Sequence, residues 1–180
     1  DWDIHIQMAD GADKPLMVNE GYWGPLDWSD DDKGLLVHRY ISINESQVWL
    51  LDPKTGDKSQ LNPREDPVSY GGAIFGPDAK DIYLVSDEET EFRKLRRWNL
   101  DTGRQEILTA DISWDVSRLR LSPDGKTLAF TVNAGGADVL YLLNLETGDR
   151  QEITAPATGR LGGLHFRPDS GALAVDLNSA

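Results

Sequence analysis

Two turn signals recur along this chain at nearly one spacing, and that recurrence limits the fold more than any other feature. Thr-Gly occurs at Thr55-Gly56, Thr102-Gly103 and Thr147-Gly148, with Asp10-Gly11 in its place at the start. Pro-Asp occurs at Pro77-Asp78, Pro123-Asp124 and Pro168-Asp169, and Asp30-Asp31 is a degenerate copy. Each series advances by 45 to 47 residues. A fixed period of that length marks a repeat architecture, and the apolar runs between such turns are strands. The pattern is clearest from Leu119 to Gly148. Leu128, Phe130 and Val132 alternate along one strand, whereas Val139 to Leu143 is apolar throughout, as in a strand covered on both faces.

Four strands per period make a propeller blade. In the third copy an inner strand ends at Leu121, and the others cover Thr127 to Val132, Val139 to Leu145 and Gln151 to Thr154. The first copy places them at Leu26 to Trp28, Leu35 to Tyr40, Gln47 to Asp52 and Lys58 to Leu61. The second gives Ala73 to Phe75, Ile82 to Ser86, Leu95 to Leu100 and Gln105 to Leu108. Only the last two strands of a blade come before these copies, Ile4 to Met8 and Leu16 to Val18. Only the first two come after, Leu164 to Phe166 and Leu173 to Leu177. The expected fold is an all-β propeller segment. Three complete four-stranded antiparallel blades occupy residues 21–66, 67–111 and 112–157, with half blades at 1–20 and 158–180.

Half blades leave strand edges that need a partner. The chain opens without Met, directly on a strand-like alternation, and reads as a slice of a longer ring. A fourth blade made from the two halves, or a homodimer closed through the half-blade edges, would cover the same edges.

Composition excludes several classes of function. A net charge of −13 speaks against nucleic acid or an anionic membrane as main partner, because Lys and Arg supply the attraction to phosphate. With no Cys, disulfides and thiolate metal sites are excluded, and the compartment, cytoplasmic or periplasmic, stays open. No apolar run approaches the roughly 18 residues of a membrane span. The absence of a helical apolar period excludes leucine-rich and helical repeats. Trp2-Asp3 and Trp114-Asp115 fall at non-equivalent positions, which excludes the register of WD40 blades.

The segments Leu121 to Phe130, Phe75 to Tyr83 and Phe166 to Ala174 each carry Pro-Asp between a strand end and a strand start. They resemble blades of the TolB and prolyl-oligopeptidase type. Gly21 to Ser29, Ser86 to Leu95 and Leu108 to Val116 lie between these motifs. With them, the whole chain resembles part of the amino-terminal propeller of bacterial S9 serine peptidases, the dipeptidyl-aminopeptidase and acylaminoacyl-peptidase relatives. That resemblance implies a propeller that caps a separate α/β hydrolase domain and gates peptide substrates. A TolB-like interaction propeller without a peptidase domain is the alternative. No serine here sits in a Gly-x-Ser-x-Gly frame, so no catalytic residue is assigned and the chain is not expected to be an enzyme by itself.

Among candidate sites, the resemblance singles out Glu88 and Glu89. In dipeptidyl peptidases a propeller glutamate pair binds the substrate amine, and charge-assisted hydrogen bonds suit that task. The flanking sequence departs from that family's motif, and a solvated loop is the competing reading. His5, His38 and His165 lie in separate copies, so no metal or other cofactor is expected. Asp30-Asp31-Asp32 suggests a hard cation but aligns with the Pro123-Asp124-Gly125 turn and lacks the alternating spacing of a calcium loop. Phe92 to Trp98 is basic and aromatic. Its strand register assigns its arginines to ion pairs with the neighbouring blade rather than to nucleic acid. Trp23, Trp28, Trp49 and Trp98 are expected between blades, and Gly71-Gly72 and Gly162-Gly163 where blades crowd about the axis.

Overall fold

Sixteen strands and no helix make up the described residues of the computed structural model, 2–18, 20–169 and 171–179. Asp1, Asn19, Ser170 and Ala180 fall within the half blades expected at the two ends and lie outside the described residues. β1 (Ile4–Gln7) and β2 (Asp13–Met17) form a two-stranded sheet. The first four-stranded sheet is β3 (Tyr22–Trp28), β4 (Leu35–Ser42), β5 (Glu45–Leu51) and β6 (Lys58–Gln60). The second is β7 (Tyr70–Phe75), β8 (Asp81–Ser86), β9 (Lys94–Asn99) and β10 (Gln105–Ile107). The third is β11 (Asp115–Leu121), β12 (Thr127–Ala134), β13 (Ala137–Asn144) and β14 (Arg150–Ile153). β15 (Arg160–Phe166) and β16 (Leu173–Asn178) close the series as another pair.

These are three four-stranded antiparallel blades with a half blade at each end. β16 does not pair with β1, so the described residues do not close into a ring of their own. The first strands of successive sheets touch one another, β3 with β7, β7 with β11 and β11 with β15, which places them innermost.

The Pro-Asp turn explains why the period is visible in sequence. In the three four-stranded sheets the residue before the turn donates its N–H to the carbonyl of the residue that closes it: Ser29 to Gly34 at 2.9 Å, Gly76 to Asp81 at 2.7 Å and Ser122 to Thr127 at 2.8 Å. Within it, Asp32, Ala79 and Gly125 occupy one position and have φ of 58°, 55° and 70°. Only glycine adopts that left-handed conformation without a Cβ penalty. An Ala79→Gly variant is therefore expected to gain up to about 1 kcal/mol, less the entropy of a freer unfolded chain. The expected sign is a small rise in melting midpoint, and an unchanged or lower midpoint would contradict it.

The Thr-Gly turn has an equally local cause. Gly56, Gly103 and Gly148 donate to the carbonyls of Asp52, Asn99 and Asn144 at 2.8, 2.8 and 2.9 Å. The same three side chains accept backbone N–H groups inside their turns.

The core lies between sheets. Ile4 and Met17 meet Trp23, Leu35, Val37 and Leu51. Leu36 and Val48 meet Ala73, Ile82 and Leu84. Tyr83, Val85 and Leu95 meet Leu128, Phe130 and Val132. Ala129 and Leu140 meet Leu161 and Leu164. Adjacent residues of β8 thus serve opposite clusters, and every residue of that strand is buried. A continuous apolar run there is what two covered faces require.

Two expectations are corrected. Trp23 is buried, and Trp49 and Trp98 pack partly buried against the clusters, but Trp28 is 42% exposed. A bulge between Pro25 and Asp27 re-aims the end of β3. The glycine pairs sit at related irregularities, between Tyr70 and Gly72 and between Leu161 and Leu164. There the crowding comes from the same sheet. A Cβ on Gly71 would meet Val85 and Arg93, and one on Gly162 would meet Asp176. Bulges also let β3, β7 and β15 begin earlier than the sequence indicates, since Gly and Pro are tolerated where the ladder is broken.

Candidate peptide-contact site

Glu88 and Glu89 follow β8 in a tight turn, where Thr90 N–H donates to the Asp87 carbonyl at 2.9 Å. Glu89 takes the left-handed conformation, φ 56°. The loop is tied to the start of its own sheet, because Ser69 N–H donates to Asp87 Oδ1 at 2.8 Å. Thr90 Oγ1 also donates to the Phe92 carbonyl at 2.9 Å and closes the turn.

The two glutamates sit in different surroundings. Glu88 is 4% exposed and Glu89 is 74% exposed. Arg64, from the connection between β6 and β7, pairs with Glu88 Oε1 through Nη2 and reaches Glu89 Oε1 through Nη1 at 3.4 Å. Asn62 Nδ2 donates to Glu88 Oε2 at 2.8 Å. Beneath them, Arg96 donates to the Glu88 carbonyl, and burial lowers its pKa from the ordinary guanidinium value. Burial likewise raises the pKa of Tyr70.

Glu88 is therefore no solvated loop residue: its carboxylate already holds a guanidinium and an amide. Glu89 presents the accessible carboxylate, and an amine arriving there would compete with Arg64 for the pair. Sequence reasoning missed Arg64 and Asn62, which lie 24 and 26 residues from Glu88. The signal available was the repeat itself, which sets the connection from β6 to β7 beside the loop between β8 and β9.

The other candidate residues are dispersed. His5 accompanies Asp13 at 2.9 Å, His38 is partly buried with its pKa lowered by desolvation, and His165 is exposed on β15. Among the described residues, no three His, Asp or Glu side chains converge as a metal site. Asp31 is absorbed by its own turn. Lys33 and the Ser29 hydroxyl hold its pKa at about 2, and Asp124 is lowered in the same way by Ser122. Arg97 pairs with Asp81 of its own sheet at 2.5 Å instead of with a neighbouring blade. Arg93 does reach the next blade, where its Nη2 lies 3.6 Å from Asp115 Oδ2 and its backbone N–H donates to Asp115 Oδ1 at 2.8 Å.

TolB from Acinetobacter baumannii superposes with a TM-score of 0.77 at 20% identity, over 96% of this chain and 42% of that one. The fold is a TolB-type propeller segment. A structure from a study of two prolyl endopeptidases gives a TM-score of 0.75 at 14% identity, over 93% of this chain and 25% of that one. In sequence, the chain is 29% identical over 98 residues to the uncharacterized peptidase YuxL of Bacillus subtilis (strain 168). That stretch is 50% of this chain and 13% of YuxL. No family model matches. The propeller fold is thus shared with TolB and with a prolyl endopeptidase.

Proposed function

We propose that this chain is the non-catalytic propeller portion of an S9-type serine peptidase. In this reading it caps a hydrolase domain and admits short or unfolded peptides, and Glu89, backed by Glu88, meets the peptide amine. The observation that carries the reading is the sequence identity to a peptidase, since a fold alone is shared by many functions. The superposition on TolB over nearly the whole chain favours the second reading, a propeller that binds a partner protein and has no peptidase domain.

The two readings separate on the parent protein expressed from its complete coding sequence. The 180-residue chain should hydrolyse neither peptide p-nitroanilides nor esters and should not react with a fluorophosphonate. The parent should do both, through a serine outside this chain. Labelling within the chain would contradict the first reading, and a parent without a reactive serine would favour the second. In the active parent, Glu89→Gln should raise KM for peptides with a free amino terminus and leave acetylated peptides unchanged.

A further inference from the structure

The innermost strands border an open hollow that the glutamate pair does not use. It has a volume of about 460 Å³ and is lined by Asp27, Trp28, Asp30, Pro77, Arg120 and Pro123, among others. Pockets of this size hold small molecules. Asp27 comes from β3 and Arg120 from β11, two blades apart.

The walls carry opposite charges across a gap. Asp27 Oδ2 accepts the Phe75 N–H at 2.8 Å, which fixes the carboxylate in place. Loss of water raises the Asp27 pKa, and the charge of Arg120 acts in the opposite direction. Even so, among the described residues Arg120 makes no ion pair within 4.0 Å. Trp28, 42% exposed, lines this hollow together with Pro77 and Pro123. Asp124, also on the wall, is occupied by Ser122 Oγ at 2.5 Å and by Lys126 N–H at 3.1 Å.

We propose that this hollow binds a small zwitterion, an ammonium group facing Asp27 and Asp30 and a carboxylate facing Arg120, as a free amino acid or dipeptide carries them. A simple anion would gain from Arg120 but meet the carboxylates of Asp27 and Asp30. A simple cation would gain from Asp27 and Asp30 but meet the guanidinium of Arg120. A ligand with both charges is favoured by both walls, and charge matching of this kind selects a ligand more than it adds raw affinity. Arg offers carboxylate a planar fork of donors, and Trp28 with Pro77 and Pro123 gives an apolar side chain a surface to cover.

Isothermal titration of the 180-residue chain tests this with leucine, leucyl-leucine, N-acetyl-leucine, leucinamide and inorganic phosphate. Leucine or leucyl-leucine should bind, the tighter of the two naming the source. N-acetyl-leucine, leucinamide and phosphate should each bind at least about tenfold more weakly. Arg120→Gln should abolish the preference for leucine over leucinamide. Asp27→Asn, whose amide oxygen can still accept the Phe75 N–H, should abolish the preference over N-acetyl-leucine. The proposal is overturned if the folded chain, checked by circular dichroism, binds neither zwitterion at roughly 10 mM. Equal binding of leucinamide, which needs only a cation site, or of N-acetyl-leucine or phosphate, which need only an anion site, would overturn it as well.

Discussion

Phe130→Ala is expected to cost about 3–5 kcal/mol, enough to lower the melting midpoint of a chain this size by roughly 6–20 °C. Phe130 has no accessible surface. It lies mid-strand in β12, with Leu119 and Tyr141 as ladder partners on either side. Its ring stacks on Tyr141 with centroids 5.3 Å apart and planes at 15°. The same side chain packs in the cluster formed with Tyr83, Val85 and Leu95 of the preceding blade. Two hydrogen-bonded sheets hold the backbones on both sides of the ring, so neither can collapse into the space left by truncation. Phe130→Leu should lose much less, under about 1.5 kcal/mol, because most of the volume stays filled. Trp28→Ala, although it removes a larger aromatic, should shift the midpoint little. Comparable losses from Trp28→Ala and Phe130→Ala would overturn this account of which aromatics hold the blades together.

That contrast marks where the sequence stops being legible. Turns are legible because each copy needs the same backbone: a left-handed position in the Pro-Asp turn, a glycine and an Asx side chain in the Thr-Gly turn. Phe130 could be placed because β12 alternates without interruption. Trp28 could not, because the bulge between Pro25 and Asp27 inserts one residue into the alternation, and although Gly24 and Pro25 mark a broken ladder they do not say at which residue the register shifts. Nearest-neighbour charge pairing was equally opaque. Arg97 and Asp81 are diagonal neighbours across the ladder of one sheet, Arg97 opposite Tyr83 and Asp81 opposite Asn99, whereas a reading by periods sends the arginine to the next blade. Glu88 and Glu89 are adjacent in sequence and were one motif there. Their division into a buried, paired carboxylate and an exposed one depends on Arg64, whose position is fixed only after two blades pack.

The junction between the third blade and the terminal half blade supplies the second large effect. Asp138, whose side chain has no accessible surface, accepts the Leu161 N–H at 2.8 Å and Arg160 Nε at 3.0 Å, with Arg118 3.7 Å away. Ser46 stands at the same point of the first blade and accepts the Tyr70 N–H at 2.8 Å. At the junction between, the carboxylate has changed sides, and Asp115 of the later blade accepts the N–H of Arg93. One backbone donor at each of these three blade boundaries is thus satisfied by a side chain across it. Asp138→Ala strands the buried Leu161 N–H and should cost about 1–3 kcal/mol. The arginines, both largely solvated, can turn to water and add little. Asp138→Asn separates the two contributions, since its amide oxygen can still accept from Leu161 while the charge is gone, and most of the stability should return. The loss should also be local. Hydrogen exchange in Asp138→Ala is expected to speed up at Leu161 and along β15 and β16, with β4 and β8 unchanged. Uniform acceleration through all sheets would mean that this contact holds the whole segment rather than one blade boundary.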